Sequence, residues 1–150
     1  MRRAATIARK GTWPDHQALG AVMLDYDMRQ RRRVRLDCEA IGPVLLDIER
    51  PVGLREGDGL GLDDGGWVAV RAAPEDLLRI EAADRLHLLR IVWHLGNRHC
   101  PAEIDDDCVH VRADHVIAEM AHGLGATVTP ITRPFDPEGG AYHAGGHHHG

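Results

Sequence analysis

Serine is absent from all 150 residues, and lysine occurs once, at Lys10. Without serine there is no Gly-x-Ser-x-Gly nucleophile turn, and no Gly-x-x-x-x-Gly-Lys-Ser/Thr loop exists to cradle phosphates, which excludes a serine hydrolase and a nucleotide hydrolase of that type. His-Glu-x-x-His is missing too; His115-Val116-Ile117-Ala118-Glu119 holds both residue types at the wrong spacing. Aromatic residues make up only 4% of the chain, so any core is built mostly from Leu, Val, Ile and Ala. No apolar run approaches the ~20 residues that span a bilayer, and no membrane contact is expected. The basic start, Met1 to Ala8, lacks a following apolar run, so no signal peptide is expected. The cysteines, Cys38, Cys100 and Cys108, are odd in number and form no Cys-x-x-Cys pair, which argues against a disulfide framework and fits a reducing cytoplasm.

What is present is unevenly spread. Residues 1–74 hold 12 Lys/Arg and 11 Asp/Glu, whereas residues 75–150 hold 6 and 12, and ten of the eleven histidines lie from His87 onward. An acidic, histidine-rich half suits a cation and not nucleic acid, whose phosphates demand clustered Lys/Arg. The one basic run, Arg29 to Arg35, alternates Arg31, Arg33 and Arg35 as on the solvated face of a strand.

The first half reads as short strands between turns: Leu19–Tyr26, Val34–Cys38 and Val44–Ile48, then a turn over Leu54–Leu62 feeding another strand. Asp63-Asp64-Gly65-Gly66 is a hairpin signal before Trp67–Val70. This predicts a small all-β domain over residues 1–74. The rhythm then changes. Leu77–Ile80 is a strand, Asp84 caps a helix from Arg85 to His94, and Gly96 closes it by freeing the backbone for a left-handed turn. Leu86, Leu89 and Trp93 repeat at helical spacing, with Leu88, Ile91, Val92 and Leu95 widening the apolar face; His87, Arg90 and His94 fall on the opposite stripe. Ala102–Ile104 is a short strand, Asp105-Asp106-Asp107 a turn, and Cys108–Ala113 a strand with Cys108, His110 and Arg112 on one face. Asp114 caps a second helix from His115 to about His122, and Ala126–Thr132 is the last strand. Strand, helix, strand, strand, helix, strand is the split βαββαβ order of a ferredoxin-like domain, here residues 75–134. Residues 135–150 hold too little apolar material to pack and are expected to form a flexible, histidine-containing tail. The fold class is therefore α+β.

Three constellations bear on metal chemistry. His94-Leu95-Gly96-Asn97-Arg98-His99-Cys100-Pro101 places two imidazoles five residues apart in a polar turn. Imidazole suits nickel, copper and zinc better than calcium or magnesium, and its binding competes with a proton. On spacing alone, a helix cap with surface histidines is an equally good reading. Asp114-His115 places an imidazole in a helix's first turn, where an N-cap beside an exposed histidine is the commoner meaning. The ending holds His143, His147, His148 and His149 interleaved with glycine, a pliable chelator. Its three consecutive histidines are fewer than a purification tag carries, which favours a native metal-capturing tail. His87, His110 and His122 are expected as surface or partly buried residues more than as ligands; Cys100 and Cys108 could add thiolates, although buried free cysteine is the commoner outcome, and Cys38 is expected to pack. An acyl-transfer enzyme would need Cys100 as nucleophile with His99 or His115 as base; adjacent side chains rarely point the same way, and no enzyme is expected.

Together, His94-Leu95-Gly96-Asn97-Arg98-His99-x-Pro101, Asp114-His115-Val116 and Pro134-Phe135-x-Pro137-Glu138-Gly139-Gly140-Ala141-Tyr142-His143 resemble the UreE family of urease accessory proteins. By motif the resemblance covers about residues 75–150. It implies a non-enzymatic nickel metallochaperone: a β domain compared with a peptide-binding domain, a ferredoxin-like metal domain, and homodimerisation through the latter. It also implies Ni(II) delivery to apo-urease, with the urease GTPase accessory protein as partner. The family's Gly-Asn-Arg-His histidine corresponds to His99, and the resemblance implies that two copies of it hold one nickel across the dimer axis. His115 is implied as a further ligand, His94 as a less constant one, and His143 and His147 to His149 as extensions of the shell. Zn(II) or Cu(II) could occupy the same or tail sites, and Ala113 stands where some members carry another histidine. A general divalent-metal buffer is the alternative function.

Overall fold

The fold is that of a computed structural model, which describes residues 1–139. Two compact units divide after Ala73. The first carries six strands: β1 (Arg2–Ala8), β2 (Gly20–Leu24), β3 (Arg33–Cys38), β4 (Gly42–Asp47), β5 (Gly59–Leu62) and β6 (Trp67–Ala72). A single helical turn, α1 (Tyr26–Arg29), follows β2. The strands form one sheet in the order β2-β6-β5-β1-β4-β3, in which β1 runs parallel to β4 and β2 parallel to β6. The core is aliphatic, as the low aromatic content requires: Leu36, Val44, Leu46, Leu60, Val68 and Val70 are all but fully buried. On β3, Leu36 and Cys38 point in, while Arg33 and Arg35 stay in solvent.

Two features of this unit depart from the sequence reading. The strand expected to reach Tyr26 stops at Leu24, because the Asp25 carboxylate accepts the Met28 N–H at 2.9 Å and starts α1. The interior strand β1 was not foreseen, since its charged start masks the pattern. In the fold Arg2 pairs with Asp64 at 2.9 Å and Arg3 with Asp63 and Asp47 at 2.8 and 3.0 Å, while Ala4 is fully buried.

The second unit comprises β7 (Pro74–Glu81), α2 (Arg85–Asn97), β8 (Glu103–Ile104), β9 (Cys108–Arg112), α3 (His115–Gly123) and β10 (Thr127–Pro134). Its sheet has the order β10-β7-β9-β8 with every pairing antiparallel. The chain is thus α+β: a β-rich first unit, then a sheet with two helices. Leu88, Ile91 and Leu95 of α2 and Ile117 and Ala121 of α3 share one core with Ile80, Val109 and Val111 of the sheet. None of the described helices is long and apolar enough to cross a membrane.

Three expectations for this unit are corrected. Gly96 does not end α2; the helix runs on through Asn97. The Leu86, Leu89 and Trp93 stripe does not face the core but remains 55%, 59% and 64% exposed, because the neighbouring Leu88, Ile91 and Leu95 take that role. Residues 135–138 do not begin a loose tail: Phe135 is fully buried, and the N–H groups of Asp136 and Glu138 bond to Glu103 Oε1 and the Ala102 carbonyl at 2.9 and 2.8 Å. The expected tail from residue 140 onward, including His143 and His147 to His149, lies outside the described residues.

At the start of α3, Asp114 Oδ1 accepts from the N–H groups of both Val116 and Ile117, at 2.8 and 3.1 Å, satisfying two donors that the helix cannot. Asp114→Ala should cost the second unit about 1 kcal/mol in urea denaturation, and Asp114→Asn much less; equal stability of all three proteins would contradict this capping role.

Candidate metal centre

The end of α2 is built by backbone hydrogen bonds. The Cys100 N–H reaches the Leu95 carbonyl at 3.0 Å, and the His99 N–H reaches the Gly96 carbonyl at 3.0 Å. This nested pair, six-to-one enclosing five-to-two, is a Schellman closure, and it requires a left-handed residue just past the cap. That residue is His99, with φ of 56°; among the described residues no other non-glycine has positive φ. The end of α3 closes in the same way, with Ala126 N–H to the Ala121 carbonyl at 3.0 Å and Gly125 N–H to the His122 carbonyl at 2.9 Å. There the left-handed position is filled by Gly125, at φ 86°. One helix uses the residue that adopts this conformation without penalty; the other uses histidine, at a cost of about 1–2 kcal/mol for an L side chain. The imidazole of His99 is exposed.

The surroundings are mixed. His94, in the last turn of α2, is half-buried with its ring edge-on to Trp93 at 5.0 Å between centroids. Cys100 is half-buried, and its thiol points at the Pro101 carbonyl at 3.6 Å. Burial pushes the Cys100 thiol up; Arg112 opposes this, Asp114 adds to it and Arg98 opposes it. His115, the first residue of α3, is exposed. Among the described residues, His94, His99 and His115 belong to no group of three converging ligand atoms.

His87 is committed elsewhere. Its Nδ1 accepts the Ala83 N–H at 2.9 Å, so Nε2 carries the proton and donates to the Leu124 carbonyl at 2.7 Å. With both nitrogens occupied, His87 ties the start of α2 to the end of α3.

The potential ligand atoms that do converge are those of Asp105, Cys108 and His110, all within 4.8 Å of one another. They come from the β8–β9 hairpin, closed by the Asp105 N–H bonding to the Cys108 carbonyl at 2.9 Å. His110 is fully buried, more so than the surface or partly buried position expected of it, and Cys108 and Leu77 on the same face of the sheet are buried too. Neither of its ring nitrogens has a hydrogen-bond partner among the described residues, and the Asp105 carboxylate, at 3.9 Å from Nδ1, is too far to be one. Leaving such a group unsatisfied costs about 1–3 kcal/mol. Burial lowers the imidazole below its ordinary range, as does Arg133, with Glu103 and Asp105 acting the other way. Burial likewise raises the Cys108 thiol.

Comparison with known proteins decides the family. The profile described as UreE urease accessory protein, N-terminal domain, matches residues 2–73, and that of the C-terminal domain matches residues 75–150. The chain belongs to the UreE family. Relatives called urease accessory protein UreE include one from Bradyrhizobium sp. (strain ORS 278), 47% identical over all of this chain and 71% of its own length. Another from Rhizobium rhizogenes is 44% identical over 99% of this chain and 89% of its own. A third from Chelativorans sp. is 47% identical over 98% and 90%.

Sequence reasoning singled out the UreE turn but gave the left-handed role to Gly96, and it passed over the Asp105, Cys108 and His110 grouping. The signal for the grouping was present in Asp-x-x-Cys-x-His spanning a turn, where hairpin pairing folds the first residue back toward the other two. The strain at His99 yields a test. His99→Gly should stabilise the second unit by about 0.5–1 kcal/mol in metal-free urea denaturation, the relief of left-handed strain exceeding the added freedom of the unfolded chain. A loss of stability would contradict the strained-cap account.

Proposed function

We propose that this chain is a nickel-binding metallochaperone that delivers Ni(II) to apo-urease during assembly of its metallocentre. The observation that carries the reading is His99: an exposed imidazole held left-handed where the same closure at α3 has glycine. Strain kept where a cheaper residue would serve is a mark of function. The names of its relatives support a role in urease assembly, and an accessory role suits a chain that is not itself an enzyme.

The mechanism follows from ligand number. A single exposed imidazole binds an ion weakly, so a second copy of the chain supplies the next ligand. The stripe of Leu86, Leu89 and Trp93 on α2, exposed and apolar, supports homodimerisation through the second unit, since such patches are what protein interfaces cover. His99 from each protomer then meets at the dimer axis. Two imidazoles suit Ni(II), with Zn(II) or Cu(II) as competitors, and leave coordination positions open, so the ion departs by ligand exchange. His115 is a further ligand and His94 a less constant one; His143, His147, His148 and His149 extend the shell. The strand order of the second unit supports a ferredoxin-like metal domain over 75–134, following a β domain over 1–74 and preceding the tail of 135–150. The partners are the urease GTPase accessory protein and the urease apoprotein complex, in the cytoplasm.

Titration calorimetry with Ni(II) tests the reading. His99→Ala should remove the tightest site with the fold intact, whereas deletion of residues 143–150 should leave that site in place. The reverse pattern, tight binding lost with the tail and kept without His99, would replace delivery with general divalent-metal buffering.

A further inference from the structure

We infer that Asp105, Cys108 and His110 form a second metal site, built for a zinc-class divalent ion held by one carboxylate, one thiolate and one imidazole. The inference does not depend on nickel delivery or on His99. It begins from the buried imidazole of His110, whose two nitrogens lack partners among the described residues. Native folds rarely leave such a group unpaired without an ion or water to satisfy it. Two further ligand groups lie beside it, the Cys108 Sγ and the Asp105 carboxylate, and the three ligand atoms are all within 4.8 Å of one another.

The spacing suits an ion between the groups. Donors at about 2.0–2.3 Å from a tetrahedral zinc lie about 3.3–3.8 Å from each other. The Asp105 Oδ2 to His110 Nδ1 separation of 3.9 Å is too long for a hydrogen bond and close to that range. The remaining separations are no more than 4.8 Å. Cys108 and His110 project from the same face of β9, and the turn closed by the Asp105 N–H and the Cys108 carbonyl returns Asp105 to them. Preorganisation is thus local to six residues.

The charge also fits. A carboxylate, a thiolate and a neutral imidazole sum to minus two, matching a divalent cation, and the Asp107 carboxylate beside the thiol adds to the field. The two nearby cations are paired: Arg133 with Glu103 at 2.6 Å and Arg79 with Glu81 at 3.7 Å. Thiolate with imidazole favours a borderline ion over calcium or magnesium. On binding, the thiol yields its proton to solvent as the metal–sulfur bond forms. Entry is from the Asp105 side, whose side chain is 56% exposed, and three protein ligands leave the fourth position to water.

Co(II) serves as the probe, because a thiolate ligand gives it a near-ultraviolet charge-transfer band that nitrogen and oxygen donors do not. The full-length reduced protein should develop this band to a plateau of one thiolate-bound Co(II) per chain, and Zn(II) should abolish it. The band should survive in His99→Ala and Cys100→Ala and vanish in Cys108→Ala. Asp105→Asn, which alters an exposed side chain and leaves the fold in place, should weaken the Co(II) affinity by roughly tenfold or more. Absence of the band from the wild type, its loss with Cys100 instead of Cys108, or an unchanged affinity in Asp105→Asn would overturn the site.

Discussion

The second unit turns on how α2 ends. Its last carbonyls need partners, and the chain supplies them by folding back so that Cys100 and His99 donate to Leu95 and Gly96. That closure fixes the residue between cap and return strand in the left-handed region, and in this chain the residue is a histidine. The helix is anchored below by Leu88, Ile91 and Leu95 and at its start by His87, so the imidazole of His99 is presented on a rigid base. Exposure lets it meet a second ligand, and rigidity limits the entropy lost when it does.

The two candidate sites differ in the physics of holding and releasing an ion. His99 offers one exposed nitrogen per chain and gains strength only by association, which suits exchange. Asp105, Cys108 and His110 offer three different donors from a single hairpin around a buried ring, which suits retention. On the proposed reading, donor number is what would separate handing an ion over at His99 from keeping one at the hairpin.

Much of this was legible in the sequence. The strands around Leu36, Val44 and Val68, the caps at Asp84 and Asp114, and the mixed α+β order follow from local pattern and turn chemistry. The turn carrying His99 stood out as a polar turn with two histidines and a cysteine, a composition unlike that of a packing element. What failed did so for physical reasons. α2 carries two overlapping apolar stripes, and nothing in one helix says whether Leu86, Leu89 and Trp93 or Leu88, Ile91 and Leu95 face the sheet. Glycine at 96 drew the left-handed role because glycine normally takes it; the closure depends instead on which carbonyls the later N–H groups reach. Interior strand β1 hid behind Arg2 and Arg3, whose charges are neutralised by acids distant in sequence. His110 lies on the face of β9 away from Val109 and Val111, and its burial is a tertiary property that no local alternation reports.

The central claim is that His99 becomes a nickel site by pairing with its copy in a second chain. Native mass spectrometry of the full-length protein at sub-stoichiometric Ni(II) tests it most directly. The first ion should appear on the dimer, one nickel per two chains, and mixed dimers of wild type with His99→Ala should bind it far more weakly. A first nickel carried by the monomer, or held equally well by the mixed dimer, would contradict it.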